Sequence, residues 1–470
     1  MASQRYFRRI EAELTFVLTL SRLLRSRAIG PDPSADIATC RIASVIPTPV
    51  LMNTTKTALV LLAIPALSYA SPIQNDARTR AMGGAGVASS DYLSALFGNP
   101  ALLTNFDEDD DWGLMLPSIG VFASDPDNMI ENTDDFVDAF EDLEDEFDNL
   151  TDVDGNIDLT GITLDDINRI DADLNNLADL LGGLNGRVLQ FGFDTGIGFA
   201  SPSDGLSWGI FAETHVSALA FVSVDSDDTD ALRDAISDDG SGNATGFPDE
   251  LMSDARVAAG GVGEFGIALA QSVDIGGFEV ALGVRPKVQQ VQTFNYVVEA
   301  SQFSEDDSED DFNAEDNRNE DEGFNVDVGA AATFNDSISA GFMIRNLIPR
   351  EVESTVDRGR DFTYLISPRA TAGVAWDAGA VTLTADVDLN KTKEFKELAI
   401  PRSRFIGVGA EMAGSWAQLR AGYRTDTENV YEDVLTGGIG LSPWDVFHLD
   451  ITGQLGDETY GAVVQLSWTF

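Results

Sequence analysis

Catalysis or metal binding needs acids, bases or nucleophiles held close together, and this chain offers an excess of carboxylates, two His and one Cys. A lone Cys40 leaves no disulfide, no thiolate zinc site and no cysteine nucleophile further along. Two imidazoles nearly exclude a His-built metal centre. What remains is a set of charges on the polar side of alternating segments: Arg369, Asp386, Asp388, Glu411, Arg420, Arg424, His448 and Asp450. Asp450 or Glu411 could orient His448 toward Ser467 as a nucleophile. Alternatively the charges pair with one another in a narrow interior, where charge survives only when paired. A lone His flanked by carboxylates fits the second reading better. The chain has no P-loop, GxSxG or HExxH motif, and Gly260-Gly261-Val262-Gly263 are strand glycines without a following helix. The expectation is a non-enzyme without a cofactor.

Asp152, Asp154, Asn156 and Asp158 place oxygens at alternate positions, as a calcium loop does. Ile157 stands where such a loop needs Gly and Thr163 where it needs a bidentate Glu, so no dedicated metal site is expected. The balance of 79 acidic against 29 basic residues, a net charge of −50, excludes nucleic acid as a partner. No Lys or Arg occurs between Arg80 and Arg169.

These charges must be positioned by extended segments. Residues 462 to 470 place Ala462, Val464, Leu466, Trp468 and Phe470 on one face and Gln465, Ser467 and Thr469 on the other. Val381, Leu383, Ala385 and Val387 oppose Thr382, Thr384, Asp386 and Asp388 in the same way, as do Phe447, Leu449 and Ile451 against His448, Asp450 and Thr452. Segments of this kind recur near 112–122, 187–200, 205–224, 255–274, 277–299, 323–335, 337–347, 367–377, 379–390, 403–413, 415–425, 435–442, 444–455 and 459–470. Their connections alternate long and short, from a long 123–186 and a short 201–204 onward; only the final Gly456-Asp457-Glu458 departs from the rule. About ten residues per strand, an even strand count and short turns on one side predict an all-β, 14-stranded antiparallel transmembrane barrel of the bacterial outer membrane. Leu466, Trp468 and Phe470 resemble the terminal signal by which outer-membrane barrels are recognised for insertion, so the barrel assembly machinery is an expected partner.

Residues 52–70 combine a Lys, a short apolar run and Ser68-Tyr69-Ala70, a secretory signal cut after Ala70. The seven Arg of residues 1–51 have no place in an exported protein, so translation is expected to start at Met52. Without residues 1–70 the charge becomes −54. Residues 71–111 then precede the barrel, 112–470. Within the first long connection, residues 133–181 carry a different period. Phe136, Phe140, Leu143, Phe147 and Leu150, then Ile167, Ile170, Leu174, Leu177 and Leu181, recur at spacings of three and four, predicting an acidic helical hairpin. It is read as a lid over the barrel mouth, with an external docking surface as the alternative. The runs 107–111 and 305–322 read as solvated outer loops, open to bridging by divalent cations to lipopolysaccharide phosphates.

Ala81-Met82-Gly83-Gly84-Ala85-Gly86-Val87-Ala88, Asp91, and Asn99-Pro100-Ala101-Leu102 resemble the opening of the FadL-like outer-membrane barrels. The chain as a whole is similar to the TraF outer-membrane family of plasmid conjugal transfer clusters, which shares a name with an unrelated thioredoxin-like protein that needs a Cys pair. The resemblance implies a Gram-negative, monomeric barrel whose N-terminal segment, with Asn99, Pro100 and Ala101, folds inward as a hatch. It also implies lateral passage of small hydrophobic molecules through the wall. The acidic sequence departs from this pattern, since nothing in it marks the apolar pocket of a fatty-acid carrier. Two functions follow as expectations: a barrel passing small hydrophobic molecules, or a closed structural barrel whose acidic loops and helices contact partners during conjugation or envelope assembly. An open porin fits less well, because fourteen strands and a hatch leave little aqueous lumen.

Overall fold

The computed structural model describes residues 76–107, 110–150, 163–235, 251–299, 316–334 and 337–470. The expected signal at 52–70, residues 71–75 and the side-chain oxygens of Asp152, Asp154, Asn156 and Asp158 lie outside them. Fourteen strands close into one antiparallel barrel. They are β1 (Gly113–Ser124), β2 (Val188–Ser201), β3 (Leu206–Ser223), β4 (Asp254–Ile275), β5 (Phe278–Glu299), β6 (Arg318–Phe334) and β7 (Ile338–Arg345). After a two-stranded sheet of β8 (Arg350–Glu353) and β9 (Thr363–Ile366), the barrel continues with β10 (Arg369–Asp377), β11 (Val381–Asp388), β12 (Phe405–Ala413) and β13 (Ala417–Asp426). It ends with β14 (Val434–Leu441), β15 (Phe447–Leu455) and β16 (Thr459–Thr469), and β16 pairs with β1.

The alternation in sequence becomes an inside and an outside. Ile210, Phe265, Val288, Val374, Leu383, Val408, Ile439 and Val464 are exposed, while Asp386, Asp388, Thr452, Gln465 and Ser467 are buried. Large apolar side chains facing outward all round a closed wall belong in hydrocarbon. Trp112, Trp208, Phe278, Phe334, Trp376, Trp416 and Trp444 are exposed near the edge with the short turns, the girdle expected at a membrane interface. Trp112 also stacks on the terminal Phe470 at a centroid distance of 4.3 Å and pairs with its backbone, while Trp468 packs edge-on against Phe447.

The wall is uneven. β4 and β5 each have 22 residues, whereas β11 and β14 have 8. About 9–11 residues suffice to cross a membrane, so the β3 to β6 side rises well past the hydrocarbon at the long-loop edge. In β1 the pairing slips between Met115 and Ser118 against β2 and between Met115 and Ile119 against β16, because Pro117 has no N–H to give to a ladder.

Among the described residues four α-helices accompany the strands. α1 (Ala77–Ala81) opens the described chain, and its first amides donate to the Asp76 side chain. α2 (Met129–Leu150) and α3 (Leu164–Leu184) lie in the β1–β2 connection, starting and ending a few residues beyond the expected 133–181. Thr163 and Asp166 form a capping box on α3. Leu143, Ile170, Leu174, Leu177 and Leu181 share a buried cluster with Leu232, which belongs to α4 (Ser226–Asp234). Neither α4 nor the β8–β9 sheet was legible in sequence. Both fall in stretches expected to be plain connections, and nine or four residues are too few for a period to stand out.

Val408, outward-facing on β12, provides a test of the membrane wall. Val408→Arg is expected to lower stability by about 2–4 kcal/mol, the cost of a cation facing mid-bilayer lipid, read from urea unfolding in phospholipid vesicles. An unchanged midpoint would place this face in water.

Candidate functional site

The barrel interior is occupied by its own N-terminal segment. Residues 76–104 approach the inward side of strands around the ring: Ala77 N donates to Gln465 on β16 at 2.9 Å, and Thr452 on β15 donates to Ala77 O at 2.7 Å. Gly83 N donates to Thr436 on β14 at 2.9 Å, and Gly86 N and Val87 N both donate to Asp386 on β11, at 2.8 and 2.9 Å. On the other side Arg285 of β5 donates to Leu96 O and Arg345 of β7 to Phe97 O. Small residues in the wall make room. A Cβ at Gly422 would overlap Gly83 N, and one at Gly283 would overlap Ala101 N.

The Asn-Pro-Ala motif has a physical role in this packing. Asn99 is fully buried and accepts from Ala101 N at 3.1 Å, capping the short 3₁₀ helix Pro100–Thr104. Its amide donates to Val87 O at 2.8 Å and Ala330 O at 3.2 Å, so one side chain joins two parts of the segment to β6. Pro100 supplies the fixed φ of the first helical position, and Ala101, with Leu96, Phe97, Leu102 and Leu103, forms an apolar cluster with Met115, Phe211 and Ala268 of the wall.

The eight charged positions singled out in the sequence divide into separate groups. Arg420 Nε lies 2.6 Å from Glu411, and a second nitrogen pairs with Asp450; Arg78 of α1 completes the group at 2.9 Å from Glu411. Arg369 pairs with Asp388 at 2.8 Å and lies over the Phe405 ring, with Arg424 also over that ring. Asp386 holds the N-terminal backbone. His448 stands apart, with Nδ1 2.9 Å from Ser442 Oγ and Nε2 2.9 Å from Thr469 Oγ1. The relay from Asp450 through His448 to Ser467 is therefore not assembled.

A second and more deeply buried charge group escaped the sequence reading. Arg285 and Asp327 are both fully buried, with Arg285 Nη2 2.5 Å from Asp327 Oδ2; Lys287 Nζ lies 3.0 Å from Asp327 and 2.8 Å from Glu264. Asn346 N donates to Asp327 at 2.7 Å. Glu213 lies 3.7 Å from Arg285 and directly opposite Glu264 across β3 and β4. Two carboxylates facing each other destabilise a sheet, and the Arg285 and Lys287 charges offset this. Nearby, Asp194 accepts from Arg80 of α1, and its other oxygen lies 2.5 Å from His215 Nδ1. The signal was present as single charges between outward apolar neighbours, such as Asp327 between Val326 and Val328. Partners spread over several strands hid it.

Small voids with both charged and apolar linings remain among the described residues. One of about 80 Å³ is lined by Glu213, His215, Glu264, Arg345, Arg369 and Glu394, with Val262, Tyr364, Leu365 and Ile366 among the others. A second of about 40 Å³ shares Arg345 and Arg369 and adds Arg80, Gly83, Asp386 and Arg424. Glu394, in the loop after β11, has its carboxyl pushed up by burial, while His215 and a hydrogen bond from Ser217 pull it down. Among the described residues no group of three His, Cys, Asp or Glu is placed to hold a metal.

The sequence model of a protein family described as "F plasmid transfer operon, TraF, protein" matches residues 96–388. None of the curated proteins compared with the chain matches it. Among solved structures, the Ralstonia pickettii toluene transporter TbuX is similar at 11% identity over 84% of this chain and 98% of its own, with a TM-score of 0.47. The Pseudomonas putida toluene transporter TodX is 12% identical over 84% of this chain and 96% of its own, with a TM-score of 0.39. A Pseudomonas aeruginosa FadL homologue is 12% identical over 86% and 99%, with a TM-score of 0.44.

Removing Asp327 leaves two buried cations without their shared partner. Asp327→Ala is expected to cost about 3–5 kcal/mol, the penalty for breaking a buried pair, read as a lowered urea midpoint in vesicles. Adding Lys287→Met should recover part of the loss. A midpoint equal to that of the unaltered barrel would mean that the charge group is hydrated.

Proposed function

This chain belongs to the TraF family of the F plasmid transfer operon, and from that premise we propose that it is an outer-membrane barrel of the conjugal transfer apparatus that stands shut and works through its outer surface. The observation that carries this reading is the occupied lumen. The N-terminal segment is bonded to strands on opposite sides of the ring, and a void beside it among the described residues is only about 80 Å³, with Glu213, Glu264, Arg345, Arg369 and Glu394 in its lining. An engineered apolar cavity that takes up benzene is nearly twice that size and lined by hydrocarbon. The parts left to meet other components are the helices and loops at the long-loop edge. α2 carries acidic residues and neither Lys nor Arg, so its partner would present basic groups.

A second reading, passage of small hydrophobic molecules, draws support from one feature. At Leu116–Pro117 the wall loses its ladder on both sides, next to the apolar cluster that includes Met115, Leu96 and Phe97. A hydrophobic molecule could cross the wall there only if the N-terminal segment shifted.

Two measurements separate the readings. Replacing residues 129–184 by a short flexible linker should lower conjugation frequency while leaving the barrel folded, judged by heat-dependent gel mobility. Uptake of a monoaromatic hydrocarbon by cells producing the barrel should equal that of cells without it. Unchanged conjugation together with barrel-dependent uptake would reverse the assignment.

A further inference from the structure

The chain between β7 and β10 does not lie over the rim as a surface loop. It turns into the lumen. β8 and β9 pair from Arg350–Ile366 to Glu353–Thr363, and the segment after β11 adds to their edge through Leu365 N to Glu394 O at 2.7 Å and Lys396 N to Thr363 O at 3.0 Å. Phe362, Tyr364 and Phe395 form one buried apolar cluster with the inward residues Leu219, Val262 and Val291 of β3, β4 and β5. Phe395 meets both Phe362 and Tyr364 edge to face, at centroid distances of 5.3 and 5.4 Å. A Cβ at Gly260 would overlap the Tyr364 ring, so this strand position admits the hairpin only as glycine.

Polar ties hold the hairpin to the tall side of the wall. Asn295 donates to Thr355 O and Arg360 O at 2.9 and 2.8 Å, Thr293 to Glu353 O at 3.2 Å, and Arg360 donates to Asp254 at 2.8 Å. None of these ties involves the N-terminal segment. The 80 Å³ cavity lies beneath the hairpin, bounded by Tyr364, Leu365, Ile366 and Glu394, while the 40 Å³ cavity that shares Arg345 and Arg369 with it is bounded by Arg80, Gly83 and Gly84. Both inserts attach at neighbouring inward positions. Arg80 reaches His215 of β3 through Asp194 of β2, and Ser217, two residues along β3, donates to Glu394 at 2.9 Å.

We propose that the barrel carries two plugs in series, the N-terminal segment and an outer plug made of the β8–β9 hairpin with residues 391–400, with a small chamber between them lined by His215 and Glu394 and Ser217 bonded to Glu394 beside it, so that removing either plug alone leaves the barrel shut. This rests on the reading of the barrel as shut, and it adds that the shutting is duplicated. Different wall residues hold the two plugs: Thr436, Asp386, Arg285 and Arg345 among those bonded to the first, and Thr293, Asn295, Asp254 and the cluster of Leu219, Val262 and Val291 for the second. A signal that releases one therefore has no direct hold on the other.

The test uses the full chain with Cys40→Ser and a single reporter, Ser217→Cys, in outer-membrane vesicles. The outer plug is loosened by Tyr364→Ala with Phe395→Ala, or removed by a short linker in place of residues 350–366. The inner plug is loosened by Asp386→Ala with Asn99→Ala, or removed by deleting residues 76–104. Heat-dependent gel mobility confirms folding, and the milder pair serves wherever a deletion fails to fold. A charged thiol reagent should label the reporter thiol of the S217C chain from the outside only when the outer plug is altered, and from the periplasmic side only when the inner one is. Planar-bilayer conductance should appear only when both are altered. Labelling from outside in the intact barrel, conductance on altering the inner plug alone, or no conductance on removing both would each overturn the two-plug arrangement. Conductance of the intact barrel would instead overturn the shut reading on which it rests.

Discussion

A barrel wall is one residue thick, so each strand that offers a greasy face to lipid must turn its other face into a space too narrow to stay fully hydrated. That requirement shapes the rest of the molecule. Inward polar side chains in a closed space need partners, because an unpaired buried charge costs more than a pair returns. Here the partners come partly from facing strands and partly from the chain's own N-terminal segment. Arg78 joins Glu411, Arg80 joins Asp194, and the amides of Gly86 and Val87 satisfy Asp386. Filling the lumen and neutralising it are accomplished by the same contacts.

The filling is not uniform. On the β11 to β15 side, strands are short, and the interior is built from charge pairs with α1 and from glycines that let Met82 and Gly83 lie against the wall. On the β3 to β6 side the strands are roughly twice as long. Their lower part carries the Arg285, Lys287 and Asp327 group, and their upper part carries apolar positions that a hairpin covers. The lopsided wall and the inward hairpin explain each other. Extended strands standing above the membrane would otherwise expose an apolar inner face to water, and β8, β9 and Phe395 remove that face with little added chain.

This packing also bears on how such a barrel could respond. Buried ion pairs add little net stability, since each charge must be desolvated first, but losing one partner of a pair is costly. Arg420 can pair where Glu411 and Asp450 stand, and a slip of the segment by one residue would leave both Arg78 and Asp386 without their partners. The N-terminal segment is thereby held in one register even though its only helical pieces are α1 and two short 3₁₀ turns.

The wall was legible in the sequence, strand by strand, because a two-residue period depends on each residue's own side and on nothing distant. Boundaries fell within a few residues of the observed ones, as at 379–390 against Val381–Asp388 and 459–470 against Thr459–Thr469. The same alternation placed Asp386, Asp388, Glu411, Arg420 and Asp450 on the inward side. The pairing of those charges was not legible. Arg285 and Asp327 are 42 residues apart, Arg80 and Asp194 are 114 apart, and Arg78 and Glu411 are 333 apart. Which inward positions meet depends on strand stagger and on the path of the N-terminal segment, neither of which any local pattern encodes. His448 shows the same limit from the other direction: its sequence neighbours suggested a relay with Asp450, yet residues two apart on a strand share a face without sharing partners, and those of His448 are Ser442 and Thr469. The inward turn of the β8–β9 hairpin was decided by the tertiary structure alone, because four-residue strands carry no period and only the exposed apolar inner face of β3, β4 and β5 gave them a place to go.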